Sequence, residues 1–361
     1  YLKVYFKFRV RKFMKLFKSL LVAPASLGLL APMAATANEV TINDFNAAEE
    51  IAVTNSRVDG LEARLNNFEA GSFSETTSAS FGSTFYVGAV ENSATGEATT
   101  FSYDFGMDLS TSFTGEDSLD IAVIGGNASG TAVDDFMGGD GTSDALTLDG
   151  VSYTFPLGGA TVIVGDGVGV DDLNTGACAY SAFTDLLSDC GTSNVGGSAD
   201  SAFAIAYDFD NGFTLAGGAG GGTGTDGFFT EEDASTIGLE AAYTADTYGV
   251  SVAYTDDEAT TYWSVQAMLA PEGYPSLSVG YETDDDDADA IFAGLTFAEV
   301  GPGSVSLGMA STDLSSDDYY QYELAYSYPL NDGMTITPGV FIKETSGDDE
   351  TGVVVTTSFS F

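Results

Sequence analysis

From about residue 72 to its end, the chain alternates apolar and polar residues. Phe101, Tyr103, Phe105, Met107 and Leu109 interleave with Ser102, Asp104, Gly106, Asp108 and Ser110. Trp263, Val265, Ala267 and Leu269 interleave with Tyr262, Ser264, Gln266 and Met268. Tyr320, Tyr322, Leu324, Tyr326 and Tyr328 interleave with Gln321, Glu323, Ala325 and Ser327. Successive side chains of a strand point to opposite faces, so each segment predicts a strand with one apolar and one polar side. Strands of about ten residues with this pattern mark a barrel that is apolar outside and polar within. Sixteen such segments fall at approximately 76–88, 100–112, 118–126, 145–155, 160–165, 202–208, 212–219, 236–245, 247–256, 260–270, 274–282, 289–298, 303–311, 319–328, 333–343 and 352–361. Aromatic residues near strand ends, such as Tyr319, Tyr328 and Phe359, fit interface girdles.

The connections sort by parity. Those after even-numbered segments are short and turn-like: 114–118, 156–159, 208–212, 271–275, 299–303 and 329–333. Those after odd-numbered segments are longer or acidic: 91–99, 127–144, 166–201, 256–258, 282–289, 311–318 and 344–350. Short turns on one rim and long loops on the other are the habit of outer-membrane barrels. A soluble sandwich has no reason to sort its loops this way. The fold expected is therefore all-β, a 16-stranded antiparallel transmembrane β-barrel.

Ahead of the barrel, residues 44–69 predict a helix. Ile51, Val58 and Leu65 fall seven apart, with Ala47, Thr54, Leu61 and Phe68 as the second apolar series. That is the a/d seam of a coiled coil. Arg57, Val58, Leu61 and Glu62, then Arg64, Leu65, Phe68 and Glu69, repeat an Arg–apolar–x–x–apolar–Glu form. The form resembles a motif of trimeric coiled coils in which Arg reaches Glu of a neighbour. Gly60 lowers helix stability by about 1 kcal/mol. The alternative is a single amphipathic helix packed on or inside the barrel mouth.

The first 37 residues read as a leader. A basic stretch from Met14 to Lys18, an apolar run over 19–33 and Ala35-Thr36-Ala37 give the three parts of a secretory signal, with residues 1–13 as an upstream extension. The expected organisation is a leader at 1–37 cleaved after Ala37, a periplasmic coiled stalk at 38–71 and the barrel at 72–361. The leader holds seven of the ten bases and no acid, so its removal takes the formal charge from −44 to −51. Repulsion then excludes nucleic acid as a partner. Disorder, the usual outcome for so acidic a chain, is countered by 44% hydrophobic residues set in alternation.

There is no histidine, and no GxSxG, P-loop or CxxC motif, so a barrel enzyme such as an outer-membrane lipase or protease would have only an Asp/Ser/Lys variant to draw on, and no catalytic residue is expected. The two cysteines, Cys178 and Cys190, predict a disulfide in a secreted chain. It would close a loop of thirteen residues within the longest connection, around an expected helical turn at 179–187. From spacing alone, that connection is equally a surface loop or one folded into the lumen.

A barrel of sixteen strands leaves an aqueous channel. Alternation places Asp104, Asp108, Asp120, Glu240 and Glu323 inside, and Lys343, the one base after the stalk, also faces inward. Asp166, Asp171, Asp172, Asp185 and Asp189 lie on the longest connection. Such a lumen favours cations. Salt limits the effect, because the Debye length is about 8 Å at 0.15 M and about 3 Å at 1 M. Acidic runs such as Asp284 to Asp287 can hold Ca2+ or Mg2+ loosely, or simply form a solvated rim; no built metal site and no other cofactor is expected.

The stretch Ser56-Arg57-Val58-Asp59-Gly60-Leu61-Glu62-Ala63-Arg64-Leu65, leading through Glu69-Ala70 into Phe73-Ser74-Glu75-Thr76-Thr77, resembles the stalk-to-strand junction of cyanobacterial outer-membrane porins, which are related to the carbohydrate-selective porin family. The run from Asp108 to Gly115 resembles their second strand and turn. The ending, with Phe361 last and Phe359 two before it, resembles the terminal strand that the barrel assembly machinery reads. The resemblance implies a homotrimer of sixteen-stranded pores in the bacterial outer membrane, each narrowed by its third loop, passing small solutes and inorganic ions. Such porins usually carry a wall-binding domain before the coil. Only residues 38–43 precede the coil here, so that domain is expected to be missing or reduced to a remnant, and any contact with peptidoglycan would fall to the stalk. The competing expectation from another class is a structural anchor or adhesin, with the stalk as the working part.

Overall fold

The computed structural model describes residues 77–361 apart from 129, 140, 193–194, 196–200, 222–228, 231–233, 286–287 and 312–318. The leader and the coil, with Ile51, Arg57, Val58, Leu61, Glu62, Arg64, Leu65, Phe68 and Glu69, lie outside the described residues, as do Asp286 and Asp287.

Sixteen strands follow one another: β1 (Thr77–Glu91), β2 (Thr100–Thr111), β3 (Ser118–Gly126), β4 (Thr147–Leu157), β5 (Ala160–Asp166), β6 (Ser201–Asp208), β7 (Phe213–Gly221), β8 (Ser235–Ala245), β9 (Tyr248–Asp256), β10 (Thr261–Leu269), β11 (Ser276–Thr283), β12 (Asp289–Val300), β13 (Gly303–Ser311), β14 (Tyr320–Asn331), β15 (Met334–Lys343) and β16 (Glu350–Ser360). Each pairs antiparallel with its neighbours in sequence, and β1 pairs with β16, so the sheet closes without an edge. The segments read from alternation coincide with these strands. The largest shifts are at β1, which runs three residues further to Glu91, at β14, extended past its Pro329 irregularity to Asn331, and at β4, displaced by two residues.

The alternation has the physical origin inferred for it. Outward positions carry exposed apolar side chains, among them Phe101, Leu239, Trp263 and Leu324. A belt of that kind is stable against lipid, where every backbone polar group must already be paired in the ladder. Aromatic residues gather towards the short-turn rim. Tyr207 meets Phe209 at 4.8 Å and Phe213 meets Tyr243 at 4.7 Å between ring centroids.

The short turns are held by their own chemistry. After β2, the Asp117 carboxylate accepts hydrogen bonds from the backbone N–H groups of Phe113 (2.9 Å) and Thr114 (2.7 Å), from Ser112 Oγ (2.9 Å) and from the Tyr153 hydroxyl (2.6 Å). Those donors, the Tyr153 hydroxyl first, hold Asp117 well below the usual carboxylate range. The terminal Phe361 continues the ladder past β16. It exchanges both backbone hydrogen bonds with Phe81, at 2.9 and 3.0 Å, and stacks on its ring at 5.7 Å.

Candidate functional site: the lumen constriction

Two of the long connections fold inward. The longest one, between β5 and β6, runs out along the inner wall and returns above its own path. On the outgoing arm, Thr175 and Gly176 lie on β8, Ala177 on β10, Ala179 on β11 and Phe183–Thr184 on β14. On the return arm, Cys190 approaches Gly280 of β11, Thr192 lies on β10, and Val195 meets β9 and β11. The Cys178–Cys190 disulfide, with Cα atoms 5.9 Å apart, staples the two arms of this hairpin. The helical turn expected at 179–187 begins only at Asp185 and is broken by a kink over Ser188–Cys190, and residues 174–182 have no regular structure. The reason is a competition for donors. The N–H groups of Ala179, Phe183 and Thr184 bond to barrel side chains and are not free to bond within a helix.

The barrel supplies those side chains from inward positions. The Glu323 carboxylate accepts hydrogen bonds from Phe183 N, Thr184 N and the Tyr180 hydroxyl, each at 2.8 Å, and from Thr184 Oγ1. Glu240 accepts from Thr175 N (2.6 Å) and Gly176 N (2.8 Å), and Glu282 from Val195 N (3.1 Å). Gln266 accepts from Ala177 N and donates to Asp189 O and Thr192 Oγ1, all at 2.8 Å. Glu240 and Glu323 therefore face inward, as alternation requires, but the loop takes up their carboxylates and leaves them 5% and 2% exposed. They anchor the constriction and do not stand as open charges along the path. Glu282, wholly buried in the same role, was not singled out by sequence reasoning.

A track of glycines makes room for the loop. Gly218 and Gly238 face Val170, Gly280 faces Cys190, Gly294 and Gly308 face Tyr180, and Gly339 faces the Phe183 ring. A β-carbon on Gly339 would lie 2.3 Å from the nearest carbon of that ring, too close for either to stay. These small inward residues are the signal, visible in the sequence, that a segment lies against this wall. A lumen lined by water has no need of them.

The connection between β3 and β4 also enters the lumen, which the sequence reading missed. Its short helix α1 (Asp134–Met137) presents Phe136 to Phe341 of β15, with ring centroids 4.2 Å apart. Val90, Ala132, Val133, Phe183, Ala325 and Val354 complete an apolar cluster inside the barrel, shared by both inward loops and the wall. Val90, Phe341 and Val354 are apolar at inward positions of adjacent strands, breaking the polar-inside rule, and that exception marks where α1 docks. Lys343 lies with its Nζ 5.6 Å from the Phe136 ring, within cation–π range.

The remaining acids divide by position. Asp108 is exposed and Asp120 half-buried on the inner face of β2 and β3, and Asp120 accepts from Ser118 Oγ at 2.7 Å. Asp104 accepts from the Tyr86 hydroxyl at 2.5 Å. Asp134 on α1 is half-buried, and burial, with Asp135 and Asp104 near it, raises its carboxyl above the ordinary value. Burial likewise raises Asp171 and Asp172 on the long loop, and Asp172 and Asp189 add to the effect at Asp171. Asp185 abuts Gly138 at the end of α1, and Asp166 ends β5, where it accepts from Ser201 Oγ at 3.2 Å. Two recesses open beside the loops. One of about 250 Å³ is rich in hydroxyls (Thr84, Ser306, Thr356 and Ser358 among them); one of about 340 Å³ sits in the bight of the long loop against β8–β10.

A closed antiparallel barrel of sixteen strands, with short turns on one rim and a long connection folded against its inner wall, is a porin-type barrel. Comparison with solved structures agrees. OprB from Pseudomonas putida superposes with a TM-score of 0.60 at 12% identity, over 79% of this chain and 94% of that one. A mutant porin of Rh. blastica superposes with a TM-score of 0.54 at 15% identity, over 79% of this chain and all of that one. At such identities the likeness is one of fold. No protein-family model matches the chain. An uncharacterised protein of Nostoc sp. is 31% identical over 159 residues, a match covering 39% of this chain and 27% of that relative's length.

Proposed function

We propose that the chain is an outer-membrane diffusion channel for inorganic ions and small hydrophilic solutes, selective for cations. The observation that carries this reading is the lumen itself. It is narrowed by a loop pinned to the wall, and Asp108 and Asp120 face it while Lys343, the one base among the described residues, is drawn onto Phe136. A transverse field of the kind set by opposed acid and base ladders has no second half here. Carboxylates along a low-dielectric wall raise the local concentration of cations and repel anions. The porin fold supports the location in an outer membrane and the assembly as a homotrimer. Phe359, on the strand that closes the barrel against β1, and Phe361, which continues its ladder, are read as residues the barrel assembly machinery recognises, and the stalk as an accessory to the trimer.

The test is conductance of the refolded protein in a planar bilayer. Stepwise openings in groups of three support a trimeric channel. A folded, heat-resistant barrel that carries no current contradicts it and transfers the weight to a structural anchor.

A further inference from the structure

The recess of about 340 Å³ in the bight of the long loop is the size of a small-ligand pocket, yet its lining is polar. Most of its polar groups are already committed. Glu240 holds two loop N–H groups, and Gln266 spends both ends of its amide on the two loop arms. Among the groups left, three acceptors lie on three separate segments, with the Asn174 side chain close to Asp171 in the chain. Asp171 and Asp189 reach it from opposite arms of the hairpin. Ser264 reaches it from the inner face of β10; its side chain is 4% exposed and has no hydrogen-bond partner among the described residues. Buried hydroxyls are almost always satisfied, so a hydroxyl left open onto a polar recess marks a position that a ligand or water completes. Burial raises the Asp171 carboxyl, Asp172 and Asp189 add to the effect, and no base is among the described residues that line the recess.

We propose that this recess is a binding subsite for small organic ammonium cations, the primary amines, held between Asp171 and Asp189 with the Ser264 oxygen accepting the third N–H. An ammonium group has three donors and no acceptor, which matches three acceptors on three separate segments. A directly chelated metal is a poorer fit, because among the described residues no three carboxylates converge closely enough to hold one. An anion is excluded by the lining, which holds no base, since Lys343 of β15 is engaged at Phe136 of α1. The subsite rests on the diffusion-channel reading, because the ligand reaches the recess through the lumen.

The experiment is calorimetric titration of the whole folded chain in detergent with propylammonium chloride. Tetramethylammonium, which has the same charge and no N–H, is the comparison, and glucose is a third arm. Saturable propylammonium binding is expected, with tetramethylammonium at least tenfold weaker. Asp171→Asn with Asp189→Asn should weaken binding tenfold or more. Ser264→Ala, which changes no charge, should weaken it about threefold. Asp284→Asn with Asp285→Asn removes the same charge at the rim and should leave it unchanged. Equal binding of the two cations, wild-type binding by the interior variants, or binding of glucose in place of the amine overturns the proposal. Retained heat-resistant mobility on a gel confirms that each variant is folded. A channel that conducts but does not bind the amine removes the subsite alone. A protein that binds the amine but does not conduct removes the channel reading alone.

Discussion

Replacing Glu323 with alanine is expected to free the constriction loop while leaving the barrel closed. The carboxylate is 2% exposed and accepts four hydrogen bonds, two from the loop backbone and two from the Tyr180 and Thr184 hydroxyls. Each hydrogen bond to a charged group contributes about 1.5–3 kcal/mol. The four do not add, because water entering the lumen re-solvates the freed donors. Removing one partner of a buried charged network costs about 3–5 kcal/mol, and the lower end suits a site beside water. About 3 kcal/mol corresponds to roughly a hundredfold shift towards the detached loop. Glu240, Gln266 and Glu282 still hold the rest of the hairpin, and the strand ladders do not involve the loop. The assay is hydrogen exchange of the amides of 177–192 in detergent, alongside single-channel current. Faster exchange confined to the loop, with noisier current and larger mean conductance, is expected. Exchange and current equal to wild type would refute the anchoring role of Glu323.

Three further outcomes are expected. Phe136→Ala removes the ring that packs on Phe341 and should detach α1; a buried Phe→Ala change costs about 3–5 kcal/mol, so protease cleavage within 127–146 should appear while the barrel keeps its melting temperature. The Asp134, Asp171 and Asp172 carboxyls have raised pKa values, so the folded loops bind these protons more tightly than the unfolded chain does. Loop packing should therefore strengthen as pH falls through the folded values towards the ordinary carboxylate range, and weaken as pH rises through the same window with no further change above it. Amide exchange of the two loops, corrected for the intrinsic rate and slower in mild acid than at neutral pH, checks this. Deleting Phe361 removes its two backbone hydrogen bonds and its stack on Phe81; cells should accumulate unassembled chain, seen as loss of the heat-resistant band.

The barrel was legible because its constraint is simple. Lipid outside and water inside impose period two on every strand, and a cell envelope with two unlike sides sorts loops by parity. The constriction was legible only in part. Alternation places Glu240 and Glu323 inside, but their task depends on where the Thr175 and Phe183 amides arrive, and those lie 65 and 140 residues away. The direction of the long loop was written in the inward glycines from Gly218 to Gly339, a signal that appears only when neighbouring strands are set in register. The docking of α1 was written in Val90, Phe341 and Val354, three apolar residues on the polar face. Each departs from the rule that revealed the strands, which is where a second rule acts.

The most direct test of a cation-favouring lumen is the reversal potential under a tenfold salt gradient, for the wild type and for Asp108→Asn with Asp120→Asn. A wild-type potential of cation-favouring sign, moving towards zero in the variant, is predicted. An anion-favouring potential, or one unmoved by loss of both carboxylates, would contradict the assignment of those acids to the path.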